Sequence, residues 1–252
     1  MGSSREASRL ETNSFFFSSA SIDTGDYGAL DRFYCIDVVA SSAAGSIVIT
    51  DKAPLETGRG DVAAAVDLEN GYAYVSGGWT HKNDFCTPIG TAERYSIAAN
   101  TWTEVANLPT PRADMVLVVL KEHVIAMGGE RQPENICEIQ KPDPGEMTVP
   151  VDDVEVMNHD GTEWNILTSM PDHRFRFAAV VIDDAIYTFG GQLPYEEICN
   201  CHATTDEVAV YKYLTVESVP GAADEDTGSS SAAFANSQFA VIAAFGAFGW
   251  VL

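Results

Sequence analysis

Three glycine pairs, each closing a short apolar run, set the terms on which this chain can fold. The runs are Tyr72-Ala-Tyr-Val-Ser before Gly77-Gly78, Val124-Ile-Ala-Met before Gly128-Gly129, and Ile186-Tyr-Thr-Phe before Gly190-Gly191. The second glycines stand 51 and 62 residues apart, and an arginine upstream of each pair (Arg59, Arg112, Arg174) recurs at 53 and 62. A period of this size means one supersecondary unit copied along the chain, each copy unable to bury its apolar surface without a neighbour. Between arginine and glycines lie two β-type runs split by a turn, as in Phe177-Ala-Ala-Val-Val-Ile, Asp183-Asp184 and Ala185-Ile-Tyr-Thr-Phe. Glu69-Asn70-Gly71 is the matching turn of the first copy, so each repeat is expected to contain a hairpin.

Downstream of the glycines each copy continues with an alternating run, a turn, and a second run ending near a proline. In the first copy Tyr95 is followed by Trp102 and then Leu108-Pro109; in the second, Met157 by Trp164 and then Met170-Pro171. In the third, Tyr213 lies seven residues before Pro220, the spacing of Trp102 and Trp164 from their prolines, which puts it at the tryptophan position. Four strands per unit with a glycine pair and a tryptophan is a propeller-blade pattern. The glycine pairs, the Tyr95/Trp102 pair and the Pro-x-x-Arg junctions Pro109–Arg112 and Pro171–Arg174 resemble the kelch-repeat family over roughly residues 13–220. Met157 and Tyr213 depart from that pattern. The resemblance implies an all-β, kelch-type β-propeller with about three full four-stranded blades, at 58–109, 110–171 and 172–220, plus a partial blade at 1–57.

In the partial blade, Phe15-Phe16-Phe17 reads as a second strand, Arg32–Ile36 as a third and Ser46–Thr50 as a fourth. That is few repeats for a ring of roughly four to eight blades, so either the ring is incomplete or the C-terminus helps to close it. Residues 221–252 combine an acidic, serine-rich linker with an apolar tail. From Phe239 to Leu252 the only polar side-chain group is the indole of Trp250. Two readings of 232–252 stand: a membrane tail or anchor signal, which is favoured, or a hairpin supplying strands 1 and 2 of a closing blade. The N-terminus opens polar and shows no secretory signal. Localisation is therefore membrane-anchored or cell surface if the N-terminus is incomplete, and cytoplasmic otherwise.

Five cysteines are present, and Cys86, Cys137 and Cys199 each fall eight residues after their second glycine. Positions in phase sit a blade apart, and a disulfide needs Cα atoms within roughly 7 Å, so these are expected to be small half-buried residues rather than bridged ones. A Cys199–Cys201 disulfide, or one from Cys201 to another cysteine, stays open for an oxidising compartment. Cys199, Cys201 and His202 offer three soft ligands in four residues but lack a second matching pair, so they are weak zinc candidates. Arg59-Gly60-Asp61 spells an adhesion tripeptide, yet in register it is the repeat arginine and a strand start. Asp152-Asp153, Asp183-Asp184 and the Asp224–Asp226 run are expected at turns and solvated edges. No cofactor motif and no catalytic grouping appears.

With 37 acidic and 14 basic residues the net charge is −23. Such a chain repels phosphate, which excludes nucleic acid as a partner. The resemblance implies a protein–protein interaction module that binds another protein through loops on one face. The variable loops after the glycine pairs supply the candidates: Trp79, His81 and Lys82; Glu130, Arg131 and Gln132; Gln192 and Tyr195. The alternative class is a carbohydrate- or small-molecule-acting propeller, such as a copper radical oxidase-like enzyme, which would need a Tyr/His/Cys constellation.

Overall fold

The structure, a computed structural model, describes residues 14–18, 21–23, 26–37, 43, 45–133, 136–138, 147–214 and 238–242. Three four-stranded antiparallel sheets follow one another along the chain. The first blade comprises Ala63–Asp67, Tyr72–Ser76, Ala92–Ser96 and Thr101–Val105. The second comprises Val116–Leu120, His123–Met127, Asp153–Met157 and Trp164–Ser169. The third comprises Ala178–Ile182, Ala185–Phe189, Val208–Leu214 and Gln238–Ile242. An N-terminal sheet of Ser14–Ser18, Phe33–Asp37 and Val48–Asp51 precedes them. It holds the second, third and fourth strands of a blade and, among the described residues, no first strand. The first strand of the second blade lies against the first strands of both neighbours, which makes these the inner strands of a stack that does not close into a ring.

The hairpins form where turn chemistry allows. Lys121 and Glu122 both take positive φ between strands one and two of the second blade, as a tight two-residue turn requires. In the first blade the Asp67 carboxylate accepts from the Asn70 backbone N–H at 3.1 Å and from its side-chain amide at 2.8 Å. Three apolar layers then join the sheets. Phe33, Leu55, Val75, Tyr95 and Trp102 lie between the N-terminal sheet and the first blade. Ala63, Ala65, Met115, Leu117, Ala126 and Trp164 lie between the first and second. Val118, Ile125, Met127, Val156, Ile186 and Tyr211 lie between the second and third. The tryptophans clip one sheet to the previous one: Trp102 Nε1 donates to Ala53 O at 2.8 Å and Trp164 Nε1 to Ala106 O at 2.7 Å.

The third blade departs from the expected register. Tyr213 lies within the third strand, opposite Phe239, and does not stand at the tryptophan position. The pairing Tyr95–Trp102 of the first blade and Met157–Trp164 of the second has its counterpart in Tyr211–Val241. The fourth strand is thus drawn from the apolar tail, in place of a hairpin of strands 1 and 2. Among the described residues no helix is long and apolar enough to cross a membrane. Val219-Pro220, the acidic stretch 224–226 and the remainder of the tail lie outside the described residues.

Candidate functional site

Each repeat arginine is buried at the junction leading into its blade. Arg59 donates to the carbonyls of Gly77 at 3.0 Å and Thr91 at 2.8 Å, and its Nη2 meets Glu93 Oε1 at 2.6 Å. Arg112 pairs with the equally buried Glu155 at 3.0 Å. Burial alone pulls both guanidinium groups down from their ordinary value, and the paired carboxylate opposes that. The third blade carries Ala209 at the corresponding position, and Arg174 instead uses Asp172 at 2.6 Å and the exposed Glu207 at 3.4 Å, while holding Gly190 O at 3.1 Å. Glu93 and Glu155 were not singled out as repeat residues from the sequence. The available signal was an acid two residues before Tyr95 and Met157, because a buried arginine requires a carboxylate.

The glycine pairs answer to neighbouring backbone. All six glycines have positive φ. A Cβ on Gly77 would stand 2.2 Å from Arg112 O, and one on Gly128 2.5 Å from Arg174 O. Each of these carbonyls belongs to the next blade and accepts from the second glycine: Gly78 N–H to Arg112 O at 3.0 Å, Gly129 N–H to Arg174 O at 2.8 Å. Glycine therefore lets successive junctions approach to hydrogen-bond distance.

Immediately past the glycines, the chain is stapled to its own junction by reciprocal backbone bonds: Gly60 with Trp79, Ala113 with Glu130 and Phe175 with Gln192. The next junction residues, Asp61, Asp114 and Arg176, share a left-handed conformation. They are linked in series, the Asp114 N–H donating to Asp61 O at 3.2 Å and the Arg176 N–H to Asp114 O at 2.9 Å. The repeat thereby collects one side chain from each junction and one from each loop at the same end of the stack. Arg176 Nε donates to Asp114 Oδ2 at 2.7 Å and Nη1 to Gln192 Oε1 at 3.3 Å, and its Nη2 lies 4.0 Å from Glu130 Oε1. Glu130 is 4% exposed, and its carboxyl is pushed up to about 7, by burial first and by the Asp114 charge second. Burial also raises Asp114, against the pull of Arg176.

The candidate loop residues divide. Trp79 and Glu130 are buried, and both take part in the backbone bridges to their junctions. His81 and Lys82 are exposed on a short 3-10 turn, Arg131 is exposed, and Gln132, Gln192 and Tyr195 are half-buried. Tyr195 hydroxyl donates to Asn200 Oδ1 across the hairpin made by Gln192–Glu196 and Cys201–Thr204. At the tip of that hairpin Ile198 is 99% exposed.

One cysteine expectation is corrected, and one of the alternatives left open is the one the structure has. Cys86 and Cys137 form a disulfide between the loops of neighbouring blades, with Cα atoms 5.6 Å apart. Equivalent positions on strands would be a blade width apart, but these cysteines sit on loops that converge over the junctions, which brings them within bridging range. Cys199 and Cys201 form a second disulfide, and His202 Nδ1 lies 3.0 Å from Leu193 O with its ring against Phe175. Two of the three weak zinc candidates are therefore spent on each other. Among the described residues no group of three or more His, Cys, Asp or Glu could hold a metal ion. Tyr195 and His202 are in ring contact, and Cys201 beside them has its sulfur in that disulfide. At the opposite end of the first two blades a half-open cleft of about 450 Å³ lies beside Tyr72, Tyr74, Arg94 and His159, with the Arg94 guanidinium over the Tyr72 ring at 4.6 Å.

These sheets, their stacking and their glycine–arginine junctions are those of a kelch-type β-propeller. The family model for the kelch motif matches residues 70–109, which hold the second, third and fourth strands of the first blade. No curated protein matches the sequence. A solved structure, that of YjhT, is similar over 81% of this chain and 60% of its own, at 15% identity and a TM-score of 0.58. The chain thus spans about three-fifths of the length of that relative, and the likeness carries the fold alone.

Proposed function

We propose that this chain is a protein-interaction module that engages its partner through the end of the stack where the glycine-pair loops meet. One observation carries the reading: the Cys86–Cys137 disulfide joins the loops of two successive blades, while reciprocal backbone bridges at Trp79, Glu130 and Gln192 hold each loop to its own junction. A rigid platform of loops costs little ordering entropy on binding. Its exposed elements, Lys82 on the 3-10 turn and Ile198 on the hairpin tip, offer a charge and an apolar anchor.

The test compares the two ends. Quantitative affinity capture is run with the wild-type chain, with Lys82→Glu/Ile198→Asp, and with Leu68→Asp, which alters an exposed residue at the hairpin-turn end. A partner bound by wild type and Leu68→Asp but reduced at least tenfold by the loop variant supports the reading. Partners that the loop variant retains and Leu68→Asp loses would place binding at the other end and refute it.

A further inference from the structure

The two disulfides stand in opposite situations. Cys86–Cys137 closes a separation of 51 residues and joins two blades, whereas Cys199–Cys201 closes a separation of 2 at the tip of the hairpin formed by Gln192–Glu196 and Cys201–Thr204. That hairpin is held without it: Gln192 pairs with Thr204, Tyr195 with His202 and Glu196 with Cys201. The Tyr195 hydroxyl also donates to Asn200 Oδ1, and the Asn200 N–H donates to Glu197 O at 3.3 Å. Closing so short a loop removes far less entropy from the unfolded chain than closing the long one, so the second bridge adds little to the fold. Both Cys199 and Cys201 are exposed. An exposed disulfide with little structural duty is the kind that a thiolate opens.

We propose that Cys199–Cys201 is a thiol–disulfide exchange site that oxidises the dithiol of a basic peptide segment. This is a separate activity and holds whether or not a partner docks on the loop end. Cys199 lies in the turn, whereas Cys201 is held in its strand opposite Glu196, so the incoming thiolate attacks Cys199 Sγ. A peptide–Cys199 S–S bond forms as the Cys199–Cys201 bond breaks, and the electron pair leaves on Cys201 Sγ, which takes a proton from water. The second thiolate of the peptide then attacks the peptide sulfur of this mixed disulfide and releases Cys199 as a thiolate, which is protonated in turn. Two electrons pass from peptide to chain, leaving a peptide disulfide and two protein thiols. The reduced hairpin keeps its shape, because the Cys199 sulfur has the carbonyls of Glu196 and Cys201, each at 3.6 Å, as weak acceptors for its proton.

The residues beside the bridge set the substrate class. Ile198, 99% exposed next to Cys199, offers an apolar contact that a peptide can use and a small thiol cannot. Glu196 and Glu197 are exposed on the same tip, and the net charge of −23 reinforces them. That field repels an anionic thiol and concentrates one flanked by lysine or arginine.

The air-oxidised full chain is mixed anaerobically at low salt with acetyl-Cys-Lys-Lys-Cys amide or acetyl-Cys-Glu-Glu-Cys amide, quenched with N-ethylmaleimide and mapped by mass spectrometry. One peptide disulfide per chain is expected, with maleimide on Cys199 and Cys201 while Cys86–Cys137 stays closed. Each rate is normalised to that of the same peptide with bis(2-hydroxyethyl) disulfide, a neutral reference. The lysine peptide should then be at least about tenfold faster than the glutamate peptide at low salt and within about twofold of it at about 1 M salt. Ile198→Ser should slow the lysine peptide severalfold and leave the rate with dithiothreitol unchanged. Cys199→Ser/Cys201→Ser, which alters exposed positions and keeps Cys86–Cys137, should form no peptide disulfide in the same time. Equally fast oxidation by that variant overturns the proposal, as does wild type in which Cys86–Cys137 opens before Cys199–Cys201, a readout that needs no variant. Equal normalised rates for the two peptides at low salt overturn the assignment of a basic substrate.

Discussion

The second and third blades present the same sheet face to different surroundings. On the second blade, Val116, Val118, Leu120, Ile125, Met127, Val154 and Val156 turn toward the third blade, and all are buried. The positions in register with them on the third blade are Ala178, Val180, Ile182, Tyr187, Phe189, Val208 and Val210, equally apolar. No further blade covers that face among the described residues, and Val180, Ile182, Phe189 and Val208 are between 40% and 49% exposed. The same contrast runs through the junctions. Gly128 backs onto the next blade's arginine carbonyl, whereas Gly190 meets only Thr205 O at 3.3 Å. Arg112–Glu155 is sealed, whereas Arg174 relies on partners open to water. A kelch blade is therefore one physical unit whose glycines, ion pair and apolar face acquire their energetic weight from the neighbour that covers them.

The largest difference is expected at the glycines. Gly128→Val should prevent folding, because a β-branched side chain at positive φ would also collide with Arg174 O, and even Gly128→Ala should cost at least about 3 kcal/mol. Gly190→Ala, which carries the strain of positive φ but meets only the Thr205 carbonyl at 3.3 Å, should cost about 1–2 kcal/mol in urea unfolding. Equal losses at the two positions would break the comparison.

Next in size is the fourth strand of the third blade. Deleting residues 232–252 removes Gln238–Ile242 from Val208–Leu214 and leaves the outer edge of that strand unpaired, its other edge still bonded to Ala185–Phe189. Size-exclusion chromatography should then show aggregation that the full chain does not. A truncated chain that stays monomeric with unchanged thermal midpoint would dismiss the strand assignment.

The ion pairs come third. Glu155→Ala strands a buried guanidinium and should cost about 3–5 kcal/mol, whereas Glu207→Ala, at an exposed pair with Asp172 still in place, should cost less than about 1 kcal/mol. The smallest effect separates the two apolar faces: Val118→Ala should lower unfolding stability by about 2 kcal/mol, and Val180→Ala by less than about 1 kcal/mol.

Much of the architecture was legible because the repeat is written in residues with local consequences. Glycine pairs mark strand ends, Asp183-Asp184 and Asn70-Gly71 mark hairpin turns, and Phe15–Phe17, Arg32–Ile36 and Ser46–Thr50 coincide with the three strands of the N-terminal sheet. Long-range choices were not legible. Tyr213 had the right spacing to a proline, but the third strand runs unbroken through it, and the true fourth strand comes after more than twenty intervening residues. Spacing cannot reveal which of two apolar segments wins an edge. The side-chain cluster around Arg176 escaped for a related reason. Asp61, Asp114 and Arg176 recur two residues after each repeat arginine, a periodicity present in the sequence, but their meeting with Glu130 follows from junctions stacking in space. The same stacking carries Cys86 to Cys137 where blade spacing alone would forbid it.

That disulfide offers the most direct test of the central claim, that consecutive repeats are neighbouring blades whose glycine-pair loops meet at one end. Non-reducing peptide mapping of the air-oxidised full chain should yield a peptide joining Cys86 to Cys137, a separate loop closed by Cys199–Cys201, and Cys35 as a free thiol. A peptide joining Cys86 to Cys199 or to Cys35 would put different repeats side by side and contradict the account.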